Sequence, residues 1–259
     1  MTRPAEDRTS RETITWIRPW TDHLFSFRLT RPASFRFVAG QFARLGVTTS
    51  PGAVAWRAYS MVSGPYDDFL EFYSIVVPGG EFTSELAHLQ VGDSLLIDRQ
   101  SHGFLTLDRF NDGRELWLLS TGTGIAPFLS ILSDPSCWDR FERIILVHSV
   151  RVVAELAYRD HIEGLRHHEL FGEMADKLTY IPVITREHVD GMASRRITEL
   201  IVSGELESQA GLPLSIDHSR IMLCGNPEMV DDTRRCLKIR GFRTSRQSAP
   251  GQIAVENYW

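Results

Sequence analysis

The chain has 259 residues, and single domains commonly hold about 100–150, so two domains are expected. With 42% hydrophobic and 24% charged residues it is neither disordered nor fibrous, and no apolar run approaches the roughly 18 residues of a membrane span. The net charge of −5 hides two basic stretches, nine Arg against four acids in residues 1–60 and six Lys or Arg with no acid in residues 234–246.

Charge alone describes these stretches as solvated faces, although they also suit the steering of an acidic partner. Neither has the interleaved aromatics or the motif of a nucleic-acid binder, so none is expected. Cys137, Cys224 and Cys236 are too few and too widely spaced for a disulfide framework, a metal centre or an iron–sulfur cluster. Redox chemistry would therefore need an organic cofactor. The opening MTRPAEDRTSRET lacks the apolar core of a secretory signal, so a cytoplasmic protein is expected.

In chain order, residues 1–12 read as a flexible tail. Alternating runs then predict strands over 13–19, 24–29, 41–47, 56–62, 70–77 and 94–99, separated by Gly and Pro clusters, with one helix over 83–89. Six short strands at this spacing suggest an antiparallel barrel or sandwich. From residue 115 continuous apolar runs (116–120, 144–148, 180–185 and 221–224) alternate with helical patterns (127–132, 155–165 and 227–240). That rhythm predicts a doubly wound parallel sheet. The boundary is placed in Phe110-Asn111-Asp112-Gly113, with units 13–111 and 112–259.

Four motifs carry chemistry. Gly122-Thr123-Gly124-Ile125-Ala126-Pro127 follows a strand and opens a helix, a place where backbone can approach a pyrophosphate. The next strand leads to Arg151 with no acid between His148 and Arg151, and Thr185-Arg186 and Arg195-Arg196 come later. Arg where an acid would bind a ribose hydroxyl favours NADP. In Arg57-Ala58-Tyr59-Ser60 the Arg can hold a phosphate and the Tyr can face a ring, and Gly79-Gly80-Glu81-Phe82-Thr83 offers free N–H groups at a helix start. By composition alone Arg57 and Tyr59 are equally well structural. The terminal Tyr258 and Trp259 either close the core or stack on a planar ligand.

Taken in order, FVAGQF (37–42), RAYS (57–60), GGEFTSEL (79–86), GTGIAPF (122–128), VHSVR (147–151), ITR (184–186), RRI (195–197), LCGNPEMV (223–230) and ENYW (256–259) resemble the bacterial-type ferredoxin/flavodoxin–NADP(H) reductases. The resemblance implies an FAD-binding Greek-key antiparallel β-barrel followed by an NADP-binding α/β domain. It implies that Arg57, Ala58, Tyr59 and Ser60 bind FAD, with Tyr59 facing the isoalloxazine and Ser60 at flavin N5. Phe72 and Tyr73, the loop Glu81, Phe82 and Thr83, and Thr123 join that FAD set. Gly122, Gly124, Val150, Arg151, Thr185, Arg186, Arg196, Cys224 and Gly225 form the NADP set. The choice of Arg196 over Arg195 stays open. Cys224 would press on the nicotinamide, and Tyr258 and Trp259 would pack on FAD, with Tyr258 gating the flavin face.

The activity so implied is hydride exchange between nicotinamide C4 and flavin N5, with electrons passed singly to a ferredoxin or flavodoxin. An NADPH-dependent flavin or quinone reductase acting on small acceptors is the alternative. A monomer is expected, with no metal.

Overall fold

The computed structural model describes residues 8–246 and 248–256. Its first half is a six-stranded antiparallel sheet: β1 (Thr9–Pro19), β2 (Leu24–Thr30), β3 (Phe42–Ser50), β4 (Ala53–Ser60), β5 (Phe69–Ile75) and β6 (Ser94–Asp98). The spatial order is β4-β3-β6-β1-β2-β5. A Met61↔Phe72 bridge draws the two edges together and nearly closes the barrel. Alternate residues such as Phe27 and Leu29, Leu45 and Val47, and Leu95 and Ile97 point inward to form its core. The helix α1 (Glu81–His88) buries Phe82 and Leu86 in that core.

β1 begins four residues before the expected start, so residues 9–12 are strand and not tail. The stretch Thr9–Thr13 pairs with Asp98–Ser94 of β6, then an irregularity between Ile14 and Trp16 turns the strand onto β2. The charges of Arg11 and Glu12 disguised this segment. Glu12 is nonetheless nearly buried, accepting a 2.5 Å hydrogen bond from the Thr30 hydroxyl.

The second half is a five-stranded parallel sheet: β7 (Glu115–Thr121), β8 (Arg143–Val150), β9 (Leu178–Ile184), β10 (Ser219–Cys224) and β11 (Ile253–Glu256), in the order β11-β10-β7-β8-β9. Both faces are covered, which explains the continuous apolar runs. Leu116, Leu118, Ile144, Leu146 and Met222 face the barrel side with the helix α2 (Ala126–Leu132). Trp117, Leu119, Ile145, Val147 and Leu223 face the helices α5 (Ile197–Ser203), α6 (Glu205–Ala210) and α7 (Pro227–Ile239). The core on the barrel side also takes in Leu24, Ala39, Val62 and Tyr73, so it joins the two halves.

Between β8 and β9 the expected helix 155–165 is broken. A turn of 3-10 helix spans Val153–Glu155, and α4 (Arg159–Gly164) starts only after Tyr158, whose φ of 63° is left-handed. The short helix α3 (Pro135–Arg140), α5, α6 and β11 were not expected.

Candidate functional site

Strand order reverses between β7 and β10, and in such sheets ligands bind beyond the carboxyl ends of the strands at that switch. The two switch loops, 122–125 and 224–226, touch there. A Cβ on Gly124 would fall 2.6 Å from the Cys224 carbonyl carbon, and one on Gly225 would fall 2.6 Å from the Thr121 carbonyl oxygen. Only glycine permits that approach. Thr121 Oγ1 accepts from the Asn226 N–H at 2.8 Å. Asn226 in turn caps α7, taking the N–H groups of Glu228 and Met229, and Pro227 sits in the first turn. The CGNP motif is thus a strand end, a contact glycine and a helix start.

Two clefts open at this switch. One, of about 520 Å³, is walled by Arg57, Ala58, Tyr59, Ser60, Tyr73 and Thr83 from the barrel and by Thr123, Gly124, Cys224 and Gly225 from the parallel sheet. Tyr59 is braced from behind by Phe82 (5.4 Å between ring centres) and Phe72 (6.3 Å, edge-on), and its hydroxyl bonds Ser74 Oγ at 2.8 Å. Burial pushes its pKa up to about 12, so the phenol stays neutral. The Tyr73 hydroxyl is buried with no partner among the described residues. Burial, and then the charge of Glu155, raise its pKa. Burial likewise pushes the Cys224 thiol well up, and the Glu256 carboxylate adds to this. Cys224 is therefore a neutral packing surface and no nucleophile at neutral pH.

The other cleft, of about 630 Å³, is lined by Gly122, Thr123, Val150, Arg151, Thr185, Arg186 and Arg196 among others. The ends of β8 and β9 bring Arg151 and Arg186 together: Thr185 N–H donates to the Val150 carbonyl at 2.9 Å and Arg186 N–H to that of Arg151 at 2.8 Å. Arg186 and Arg196 are exposed and carry no ion pair among the described residues. Arg195 is paired with Glu205. Arg151 is paired with Glu155 at 3.0 Å. Burial raises the Glu155 carboxyl, but the backbone N–H and guanidinium of Arg151 and the His23 ring outweigh it and hold the pKa below the ordinary value.

Most of the expected site residues therefore converge on these clefts. Phe72 and Phe82 do not: both are fully buried in the barrel core. Strand alternation turns Phe72 inward while its neighbour Tyr73 reaches the cleft. Glu81 is exposed at the start of α1 and lines neither cleft. Tyr258 and Trp259 lie outside the described residues.

Residues missed in the sequence include Ser74, Glu155, His148 and Glu256. Glu155 stands four residues after Arg151, a spacing that could have signalled the pair. Glu256 gave no signal, since it meets Cys224 only through the parallel register of β10 and β11.

The cleft against Tyr59 fits a flavin: a flat aromatic wall, the Tyr73 phenol without a partner among the described residues, and glycines that let backbone come close. Residues 19–101 match the family model of the oxidoreductase FAD-binding domain, and residues 118–235 that of the oxidoreductase NAD-binding domain. The ferredoxin–NADP reductase A of Sorangium cellulosum is 44% identical over 95% of this chain and 88% of its own length. The flavodoxin/ferredoxin–NADP reductase of Rhodobacter capsulatus is 40% identical over 98% and 94%. A solved ferredoxin NADP+ reductase from Neisseria gonorrhoeae with bound FAD and NADP superposes with a TM-score of 0.89 at 40% identity, covering 96% of this chain and 98% of that one. With an FAD-binding barrel and an NADP-binding parallel sheet meeting at this switch, the chain belongs to the ferredoxin/flavodoxin–NADP reductase family.

Proposed function

We propose that this protein moves electrons between NADPH and a one-electron carrier protein, a ferredoxin or flavodoxin, through bound FAD. One observation carries the reading: Thr123 and Ile75 line both clefts, so planar groups seated in the two meet across a shared wall. When bound, FAD supplies the chemistry that takes a hydride from NADPH and releases the electrons one at a time.

The chain's own part is placement. Tyr59 offers a rigid ring face, held by Phe82, Phe72 and the bond to Ser74. Ser60, from the barrel, and the neutral Cys224 thiol, from the parallel sheet, both line the flavin cleft. Ser60 can donate a hydrogen bond, and Cys224 can press a nicotinamide into place. Arg57, at the rim, serves the FAD phosphates. Arg151, Arg186 and Arg196 serve the 2′-phosphate, since guanidinium groups fork onto phosphate oxygens. The flavin-binding unit ends near residue 111 and the nucleotide-binding unit follows from 112.

We place the protein in the cytoplasm, where Cys137, Cys224 and Cys236, all free, stay reduced. No helix among the described residues is long and apolar enough to cross a membrane. The test is an anaerobic titration of the purified flavoprotein with NADPH and then NADH, following the visible flavin band. Bleaching at far lower NADPH than NADH is expected; a flavin that neither nucleotide reduces would sink the proposal.

A further inference from the structure

The ring of His148, on β8, is completely buried, and its Nε2 lies 3.1 Å from the Gly122 carbonyl oxygen. A carbonyl only accepts, so Nε2 carries the proton and Nδ1 carries none. Nδ1 is buried without a partner among the described residues. A leucine or phenylalanine would fill the same space without that orphaned nitrogen, whose desolvation is a cost. What the ring gains in exchange is the bond to Gly122.

Gly122 sits with φ at 53° and opens the turn of 3-10 helix Gly122–Ile125 that leads into α2. The peptide that joins it to Thr123 is planar and trans, so its C=O and N–H point in opposite directions. With the carbonyl drawn onto the buried ring, the Thr123 N–H is turned away from it. Gly122 and Thr123 both line the larger cleft. We propose that His148 is a positioning residue for nucleotide binding, its Nε2–H holding the Gly122 carbonyl so that the Thr123 N–H is aimed into the cleft. The inference rests on the reading that the 122–125 loop receives the dinucleotide pyrophosphate.

Burial holds the imidazole neutral, with its pKa pulled down to about 4; the Gly122 carbonyl and the Glu155 charge oppose this only in part. The donor is therefore in place throughout the neutral range, in one tautomer.

The test measures binding of NADP+ and of NAD+ to the oxidised flavoprotein by calorimetry, without turnover. His148→Leu keeps an apolar filling and removes the donor, while His148→Gln returns an N–H donor on a flexible arm. Loss of one buried hydrogen bond predicts about a tenfold weaker affinity, equal for both nucleotides because the 2′-phosphate clamp is untouched. His148→Gln should recover much of it. A lower melting temperature with unchanged affinities would overturn the proposal, and so would a loss confined to NADP+.

Should the leucine variant not fold, nitrogen NMR of the wild-type imidazole decides. The Nε2–H tautomer, perturbed on adding NADP+, supports the proposal, and the Nδ1–H tautomer overturns it. Arg196→Ala, run in parallel, separates the two levels. If neither it nor Arg195→Ala weakens NADP+ binding, the site reading fails and the inference with it. If it weakens NADP+ and His148→Leu weakens neither nucleotide, only the inference fails.

Discussion

Adjacent arginines show how neighbours with one chemistry receive different work. Arg195 is spent on Glu205, while Arg196, the residue that caps the start of α5 with its backbone, leaves its guanidinium at the cleft wall. Arg196→Ala is expected to raise the KM for NADPH by about tenfold or more, the scale of a charge-assisted phosphate contact, with NADH turnover unchanged. Arg195→Ala should change the NADPH KM less than threefold. Steady-state kinetics with both nucleotides checks the pair, and the reverse order would move the clamp by one residue. No spacing rule could separate these two, because what distinguishes them is an acid ten residues later.

His148 carries a second consequence at the same scale. Its folded pKa of about 4 lies below the ordinary 6.5, so between those values the unfolded chain binds a proton that the folded chain refuses. Stability is intact above pH 6.5 and falls as pH drops toward 4, by about 3 kcal/mol over the window. His161, also pushed down by burial, adds to the same slope. Urea unfolding at pH 7 and pH 4.5 should therefore show a smaller loss in His148→Gln than in the wild type. Equal losses would mean that the buried ring does not set this window.

Among the elements, the barrel strands were legible because each has one wet and one dry face, and the parallel strands because both faces are dry. The helix expected over 155–165 failed for a local reason that packing imposes. Tyr158 leaves the right-handed region so that its side chain can turn back onto the barrel. There its hydroxyl donates to Glu71 Oε1 at 2.8 Å and meets Ser26 Oγ at 2.5 Å. The Ser26 oxygen also accepts from Trp20 Nε1 at 2.8 Å, and Glu71 is held by Arg28 at 2.8 Å. Since Tyr158 gives its proton to Glu71, Ser26 must donate to Tyr158, and the chain of bonds runs one way.

The apolar periodicity of 155–165 reads as helix because sequence cannot see a partner more than eighty residues upstream. Tyr158→Phe removes both bonds and takes the Tyr158 donor from Glu71 Oε1, leaving Arg28 on Oε2, at a cost of about 1–3 kcal/mol in unfolding free energy. Flavin content should be retained. Denaturant unfolding checks this, and a neutral substitution would mean that the network does not hold the halves together.

For the whole molecule, the basic stretches take on a different meaning once folded. In 234–246, Arg234 pairs with Asp231, Arg235 with Asp232 and Arg240 with Glu207, so half of its six cations are neutralised by acids outside the stretch. On the barrel, Arg28 is taken by Glu71 and Arg31 by the carbonyls of Phe35, Pro65 and Asp67. Arg44 and Arg57 instead are exposed on neighbouring strands without ion pairs among the described residues, Arg57 lining the flavin cleft and Arg44 lying over the Trp56 ring. With Arg57 given to the FAD phosphates, we propose Arg44 as a barrel charge that steers an acidic carrier. Turnover with a ferredoxin should fall steeply between low and moderate salt, whereas reduction of a small neutral acceptor should not. Arg44→Glu should lower the carrier rate and leave the small-acceptor rate unchanged. A carrier rate indifferent to salt would favour a reductase of small acceptors.

The sequence by itself determined the two layers and the chemistry at the strand ends. Side-chain period, glycine and proline punctuation and the GTG and CGNP turns are properties of neighbouring residues, and local sterics enforce them wherever they occur. Tertiary structure alone decided which residues the chemistry can use. It buried Phe72 and Phe82 behind Tyr59, paired Arg195 and left Arg196 without an ion pair among the described residues, and set Glu256 beside Cys224 and His148 beneath Gly122. Those outcomes depend on which strands lie next to each other and on which charges they meet. Such contacts are settled by burial across the whole chain, and no local pattern contains them.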